Sequence, residues 1–204
     1  MAKPKSLEKL RAEARGCRAC PLWKNATQTV FGEGAAHARI MLVGEVPGDT
    51  EDREGHVFAG PAGRVLDEAL AAAGLDRAHL YVTNAVKHFK WEPRGKRRLH
   101  KTPSQREVEA CRPWLEGELA AVKPVLVVAL GATASKALLG PAFRITKDRG
   151  KLQRRDGLPP VIATYHPSFV LRTLDRPEGE EIHKQFIEDL RTARKIALQD
   201  DSDT

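Results

Sequence analysis

In Gly95-Lys96-Arg97-Arg98-Leu99-His100-Lys101-Thr102-Pro103, four cations crowd a single imidazole. Side chains of these types could grip phosphate and carry a histidine nucleophile to an electrophilic carbon. A charge run is more commonly a solvated face, so taken alone the stretch reads either way. Gly95 and Pro103 bracket it and both disfavour regular structure, which predicts an irregular loop. Other reactive types lie elsewhere in the chain: Glu45 within Gly44-Glu45-Val46-Pro47-Gly48, Asn84 at the end of an apolar run, and His166 in His166-Pro167-Ser168. Three cysteines argue against a disulfide framework, which favours an even number. Two of them form Cys17-Arg18-Ala19-Cys20, and in a reducing compartment such a pair more commonly binds metal or does redox chemistry.

Four short apolar runs must position these residues: 38–43, 80–86, 124–130 and 161–164. Each reads as a buried parallel strand. Helical spacing appears over 6–15, from Pro61 to Gly74, over 103–121, from Gly131 to Leu139 and over 177–198. Residues 25–33 read as a strand or extended arm and 51–60 as a polar loop. This alternation predicts an α/β fold: a three-layer α/β/α arrangement around a central four-stranded, mainly parallel sheet. A single domain over 1–204 is expected, with an N-terminal arm over about 1–33 and a frayed tail over about 199–204. The glycine-rich turn after the first strand matches neither G-x-G-x-x-G nor a Walker A loop, so no nucleotide cofactor is expected.

The chain has 204 residues and a net charge of +7, a balance that points to polyanionic partners. No run of about 18 apolar residues marks a membrane span. Residues 1–15 are charged and lack the apolar region of a secretory signal, so a cytoplasmic, bacterial setting is the default expectation.

Under this layout Glu45, Asn84, Thr133 and His166 all sit at C-terminal ends of parallel strands, on one rim. Each has an ordinary explanation: a solvated turn carboxylate, a turn cap, a core histidine. Together they form a site constellation. The amide of Asn84 can accept from N3–H and donate to O4 of uracil, whereas cytosine presents the opposite polarity. Phe58 could stack on such a base or simply fill core. His166 could hold negative charge developing at O2 of a leaving base. Glu45 could stabilise an oxocarbenium-like sugar or activate a nucleophile.

These residues resemble the uracil-DNA glycosylase superfamily, in particular its iron–sulfur branch, which includes family 4. Gly44-Glu45-Val46-Pro47-Gly48 is similar to its first motif, and His166-Pro167-Ser168 with Leu171-Arg172 to its second. Phe58-Ala59-Gly60-Pro61-Ala62-Gly63 and Val82-Thr83-Asn84-Ala85-Val86-Lys87 are similar to the segments that stack on uracil and read it. Lys96-Arg97-Arg98-Leu99-His100 resembles the extra basic segment of UdgX-type members.

The resemblance implies a DNA-repair hydrolase that excises uracil from DNA, single-stranded DNA included, with Gly44, Phe58, Asn84 and His166 binding the base. It further implies that His100 attacks C1′ after uracil leaves, with Glu45 and His166 as the other catalytic groups, so that protein and DNA become covalently joined. The surrounding cations are expected to depress the His100 pKa and keep the ring neutral and nucleophilic. Lys96, Arg97, Arg98, Ser168 and Arg172 are the implied DNA contacts. Cys17, Cys20, His88 and Cys111 are the implied ligands of a 4Fe–4S cluster, with zinc as the chemical rival for the same residues. Val46 stands where UdgX-type proteins commonly carry glutamine. A monomer is expected. Two other readings stay open: a turning-over glycosylase that uses water, and a non-catalytic, metal-stabilised module that binds damaged DNA.

Overall fold

The computed structural model describes residues 5–199. α1 (Leu7–Ala14) begins where the Ser6 hydroxyl accepts the Lys9 N–H at 3.3 Å. β1 (Glu33–Gly34), β2 (Ile40–Gly44), α2 (Asp49–Glu54), α3 (Pro61–Ala72) and β3 (Tyr81–Asn84) follow. Next come β4 (Trp91–Arg94), β5 (Arg97–His100), α4 (Gln105–Val122), β6 (Leu126–Leu130) and α5 (Ala132–Leu139). α6 (Ile145–Asp148), β7 (Leu152–Gln153), β8 (Val161–Thr164), α7 (Pro167–Thr173) and α8 (Gly179–Gln199) complete the order. Pro61 opens α3 at a position that needs no N–H. α4 starts in a capping box in which the Ser104 N–H donates to Glu107 Oε2 at 2.6 Å.

The main sheet has the order β1-β3-β2-β6-β8-β7. Its four inner strands are the four apolar runs, and they pair in parallel. The expected four strands are therefore six among the described residues. β1 and β7 add antiparallel edges of two residues each, too short for any periodicity to register. Side chains alternate between two cores. Leu42, Val82, Val128 and Ile162 face α3 and α8, while Met41, Val43, Val127 and Ala163 face α4 and α5. The α/β/α layering thus agrees with the sequence, because strands buried on both faces read as continuous apolar runs.

Three further expectations need correction. Part of the 51–60 loop is helical, since α2 carries three acidic residues in its first turn, where the helix dipole favours them. The 25–33 arm is irregular except for Glu33. The stretch from Gly95 to Pro103 is not an irregular loop: most of it joins the preceding residues in an antiparallel hairpin, β4 with β5, outside the main sheet. Gly95 takes φ 59°, as the first position of a two-residue hairpin turn requires. The frayed tail lies outside the described residues except for Gln199, which closes α8.

Candidate active site

Parallel pairing sets Gly44 directly opposite Asn84, where β2 and β3 end. A Cβ on Gly44 would lie 2.3 Å from Asn84 Oδ1 and 2.7 Å from Phe58 Cζ, so only glycine lets the amide and the ring approach there. Phe58 itself holds φ 52°, a left-handed conformation that costs a non-glycine residue about 1–3 kcal/mol. Its surroundings enforce it. A Cβ on Gly63 would lie 1.7 Å from the Phe58 carbonyl oxygen. The Glu51 carboxylate accepts the N–H groups of Gly48 and Gly60, each at 3.0 Å, and ties the two loops together.

His166 caps α7. The Ser168 N–H donates to its Nδ1 at 3.1 Å, so Nδ1 is the acceptor nitrogen and the proton of the neutral ring sits on Nε2. Burial, with smaller effects from His100 and Arg172, pulls the imidazole pKa down to about 4. His166 is therefore a neutral Nε2–H donor at neutral pH. Its ring lies 5.9 Å from Phe58. Gly131 turns β6 into α5 at φ 90°, and a Cβ there would lie 2.8 Å from His166 Cβ. That turn delivers Thr133, whose hydroxyl donates to Glu45 Oε2 at 2.5 Å.

The hairpin is held by Arg98. Its guanidinium pairs with Asp49 and, at 2.6 Å, with Asp52, whose side chain is fully buried. It also lies 5.2 Å from the Phe89 ring and 5.5 Å from Trp91. Asp52 is fixed in turn by the Thr27 N–H at 2.9 Å. His100, two residues on and so on the same face of β5, rests 6.0 Å from the Phe89 ring. His100 stays open to solvent on one side, yet partial desolvation at the cavity wall is the main cause that lowers its pKa; Arg172 lowers it further, and the carboxylates of Glu45 and Glu51 oppose the shift. The expected depression is present, but partial desolvation and Arg172 supply it in place of the loop cations.

One cavity of about 640 Å³ is lined by Glu45, Phe58, Asn84, His100, His166 and Arg172, with Ser168 also on its wall. Gly44 lies just behind that wall through its pairing with Asn84. Lys96 and Arg97 do not line it; they are exposed around the hairpin turn, where Arg97 stands directly opposite Arg94. Arg98, expected to face phosphate, instead faces Asp49 and Asp52 and is only 14% exposed. Asp49, Glu51 and Asp52 escaped the sequence reading. Their signal was an acidic cluster just after a Gly-Pro-rich turn, in a chain whose basic run needed a counterion.

Cys20 and Cys111 share an apolar cluster with Leu22, Val46 and Val86. Cys17 joins them through Trp114, whose Nε1–H donates to Cys17 Sγ at 3.2 Å. The Lys87 N–H donates to Cys111 Sγ at 3.3 Å. His88 is not drawn into that cluster: its Nε2 meets the Thr29 hydroxyl at 2.9 Å. That hydroxyl donates to the Ala14 carbonyl at 3.0 Å, so Nε2–H is the donor and Nδ1 keeps a lone pair. Burial lowers the His88 pKa and keeps the ring neutral. Among the described residues no three His, Cys, Asp or Glu side chains are assembled as a metal shell. The residue types nonetheless suit a thiol-binding metal centre: Cys20 and Cys111 share one apolar cluster, Cys17 is linked to it through Trp114, and N–H groups donate to two of the sulfurs. Burial raises both Cys20 and Cys111, the latter to about 11, so these thiols are protonated at neutral pH.

Residues 31–191 match the model of the uracil DNA glycosylase superfamily. The chain is 37% identical to a type-4 uracil-DNA glycosylase of Thermotoga maritima over 93% of its own length and 94% of that protein. It is 37% identical to a type-4 uracil-DNA glycosylase of Archaeoglobus fulgidus, covering 89% of this chain and 90% of the other. A type-5 uracil-DNA glycosylase of Thermus thermophilus is 30% identical, with coverage of 93% and 89%. The chain belongs to the uracil-DNA glycosylase superfamily. No helix among the described residues is long and apolar enough to cross a membrane.

Proposed function

We propose that the protein excises uracil from DNA and that His100 then bonds to the C1′ left behind. The observation that carries this reading is the gathering of Glu45, Phe58, Asn84, His166 and His100 on one cavity. The uracil would stack on Phe58 with its N3–H and O4 on the Asn84 amide. The bond between C1′ and N1 breaks, and its electron pair leaves with the base. The Nε2–H of His166 stabilises the charge that collects at O2; a neutral donor suits this role, since it does not have to give up its proton. The Glu45 carboxylate, oriented by Thr133, stabilises the cationic sugar. A neutral His100 nitrogen supplies the electron pair for the new bond to C1′, the ring's other nitrogen releases its proton to solvent, and the departing uracil anion takes one proton from solvent. A ring held on a pinned hairpin competes with water through effective molarity. C1′ is out of reach in a stacked duplex, so the base must be flipped and single-stranded DNA is a natural substrate. Arg94, Lys96 and Arg97 concentrate like charge at the hairpin turn, an arrangement that favours a polyanion beside it.

The similarity to type-4 enzymes favours a second reading, in which water takes C1′ and the protein turns over. Both readings release uracil. Cys17, Cys20, Cys111 and His88 would hold a 4Fe–4S cluster or zinc, a clamp between the N-terminal arm and the segment before the hairpin. Two cores on opposite faces of one sheet support a single domain over the whole chain.

Glu45→Gln tests the reading. Release of free uracil from an oligonucleotide with one deoxyuridine should fall about 100–1,000-fold. Affinity for DNA lacking uracil should stay unchanged. Equal excision by the variant would remove Glu45 from the chemistry. No uracil from the wild type would leave only a DNA-binding module.

A further inference from the structure

Directly behind Asn84 lies a charged pair with no part in the steps above. The side chains of Lys87 and Glu118 are 1% and 0% exposed, and Nζ stands 2.5 Å from Oε2. Nζ also donates to the backbone carbonyl of Asn84 at 2.8 Å and to Thr83 Oγ1 at 2.6 Å. Glu118 Oε1 accepts the Gly32 N–H at 3.0 Å and the Tyr81 hydroxyl at 3.1 Å, and the Thr83 hydroxyl lies 3.0 Å from both carboxylate oxygens. Among the described residues no buried side-chain nitrogen or oxygen lacks a partner. A buried ion pair is a poor source of stability, because apolar residues of the same volume commonly do as well or better. What it supplies is direction: each member has one arrangement in which every bond is made.

We propose that the Lys87–Glu118 pair is a positioning device for Asn84, fixing the end of β3 and hence the angle at which the amide meets the base. The inference rests on the uracil-excision reading. Lys87 is itself tethered on three sides. Its N–H reaches Cys111 Sγ, its carbonyl accepts the Val30 N–H at 2.8 Å, and its ammonium lies 5.5 Å from the Phe31 ring. The base reader is thereby braced against the thiol cluster and the N-terminal arm. Lys87 and Glu118 touch no reacting atom, so they act through Asn84 alone.

The test is the double variant Lys87→Met/Glu118→Gln, which removes both charges but keeps an acceptor for Gly32 and Tyr81. Its melting temperature and its affinity for uracil-free DNA should match the wild type. The inhibition constant of free uracil should rise about tenfold and single-turnover excision should slow about tenfold. A folded double variant with wild-type uracil inhibition and excision would overturn the proposal. Amide hydrogen exchange on the unaltered protein gives a second reading, independent of whether the variant folds. The N–H groups of Ala85 and Val86, which close onto Gly44 and Glu45 at 2.8 and 3.0 Å, should exchange only through global unfolding. Exchange by local opening would contradict a braced strand end. Absence of excision by the wild type would be a failure of the underlying reading, visible before any variant is made.

Discussion

The wall of the cavity that carries Asn84 belongs to the central sheet, whereas the wall that carries His100 belongs to a two-stranded hairpin outside it. Asn84 is 3% exposed and ends a strand backed by a buried charge network. β5 is largely exposed, and its Leu99 is 42% exposed. One guanidinium, that of Arg98, pins it to α2. Base selection depends on angles that only a packed core keeps, while attack on C1′ depends on bringing one ring close. Under the proposed reading, excision and capture are held by separate structures, so they should fail separately.

The largest effect on the hairpin side should come from Arg98→Ala. It strands the buried Asp52 carboxylate, so the melting temperature should fall by about 5–10 °C. Covalent capture should slow roughly 10–100-fold as His100 loses its fixed approach. Uracil release, timed in the same quenched samples, should change less than about threefold if orientation is all that is lost. Arg98→Lys should recover only part of the capture rate, since an ammonium cannot fork to two carboxylates. Equal losses in release and capture would dissolve the distinction between the two walls.

Arg172→Ala sharpens the comparison through pH. The Arg172 cation helps to lower the pKa of both histidines, so its removal raises both. Capture needs neutral His100 and is lost as pH falls through the folded pKa. Its acid limb should therefore move to higher pH, slowing capture on the acid side of the ordinary imidazole range and leaving it unchanged well above that range at saturating DNA. A limb that stays in place or moves down would remove Arg172 from the electrostatics of the site. The smallest effect belongs to Lys96→Ala. Single-strand affinity measured across a salt series should lose about 0.7 from its logarithmic slope, with excision at saturation unaltered. An unchanged slope would take the hairpin turn off the DNA path.

The parallel core and most of its rim were legible because buried strands leave apolar runs and their C-terminal ends share one edge. The rim positions of Glu45, Asn84, Thr133 and His166 follow from that alone, whereas Phe58 lies in the loop before α3 and Gly44 entered through the family resemblance. The hairpin was not legible, since β4 and β5 have no apolar alternation; Trp91-Glu92-Pro93-Arg94 even contains a proline, tolerated because the pair stands apart from the sheet. It is ordered by Arg98 meeting two aspartates that lie 46 and 49 positions away. The same long-range pairing explains why Arg98 read as a phosphate contact: a charge run shows its sign but not its counterion. The Lys87–Glu118 pair, 31 positions apart, was hidden for the same reason.

The central claim is that His100 ends the reaction by bonding to DNA. Wild-type protein and His100→Ala should each be mixed with a labelled single strand carrying one deoxyuridine, then boiled in detergent and run on a denaturing gel. The account predicts a band shifted by the protein's mass for the wild type only, with free uracil released by both. A wild-type lane without the shifted band, giving strand cleavage after alkali instead, would contradict capture and leave an ordinary glycosylase that hands C1′ to water.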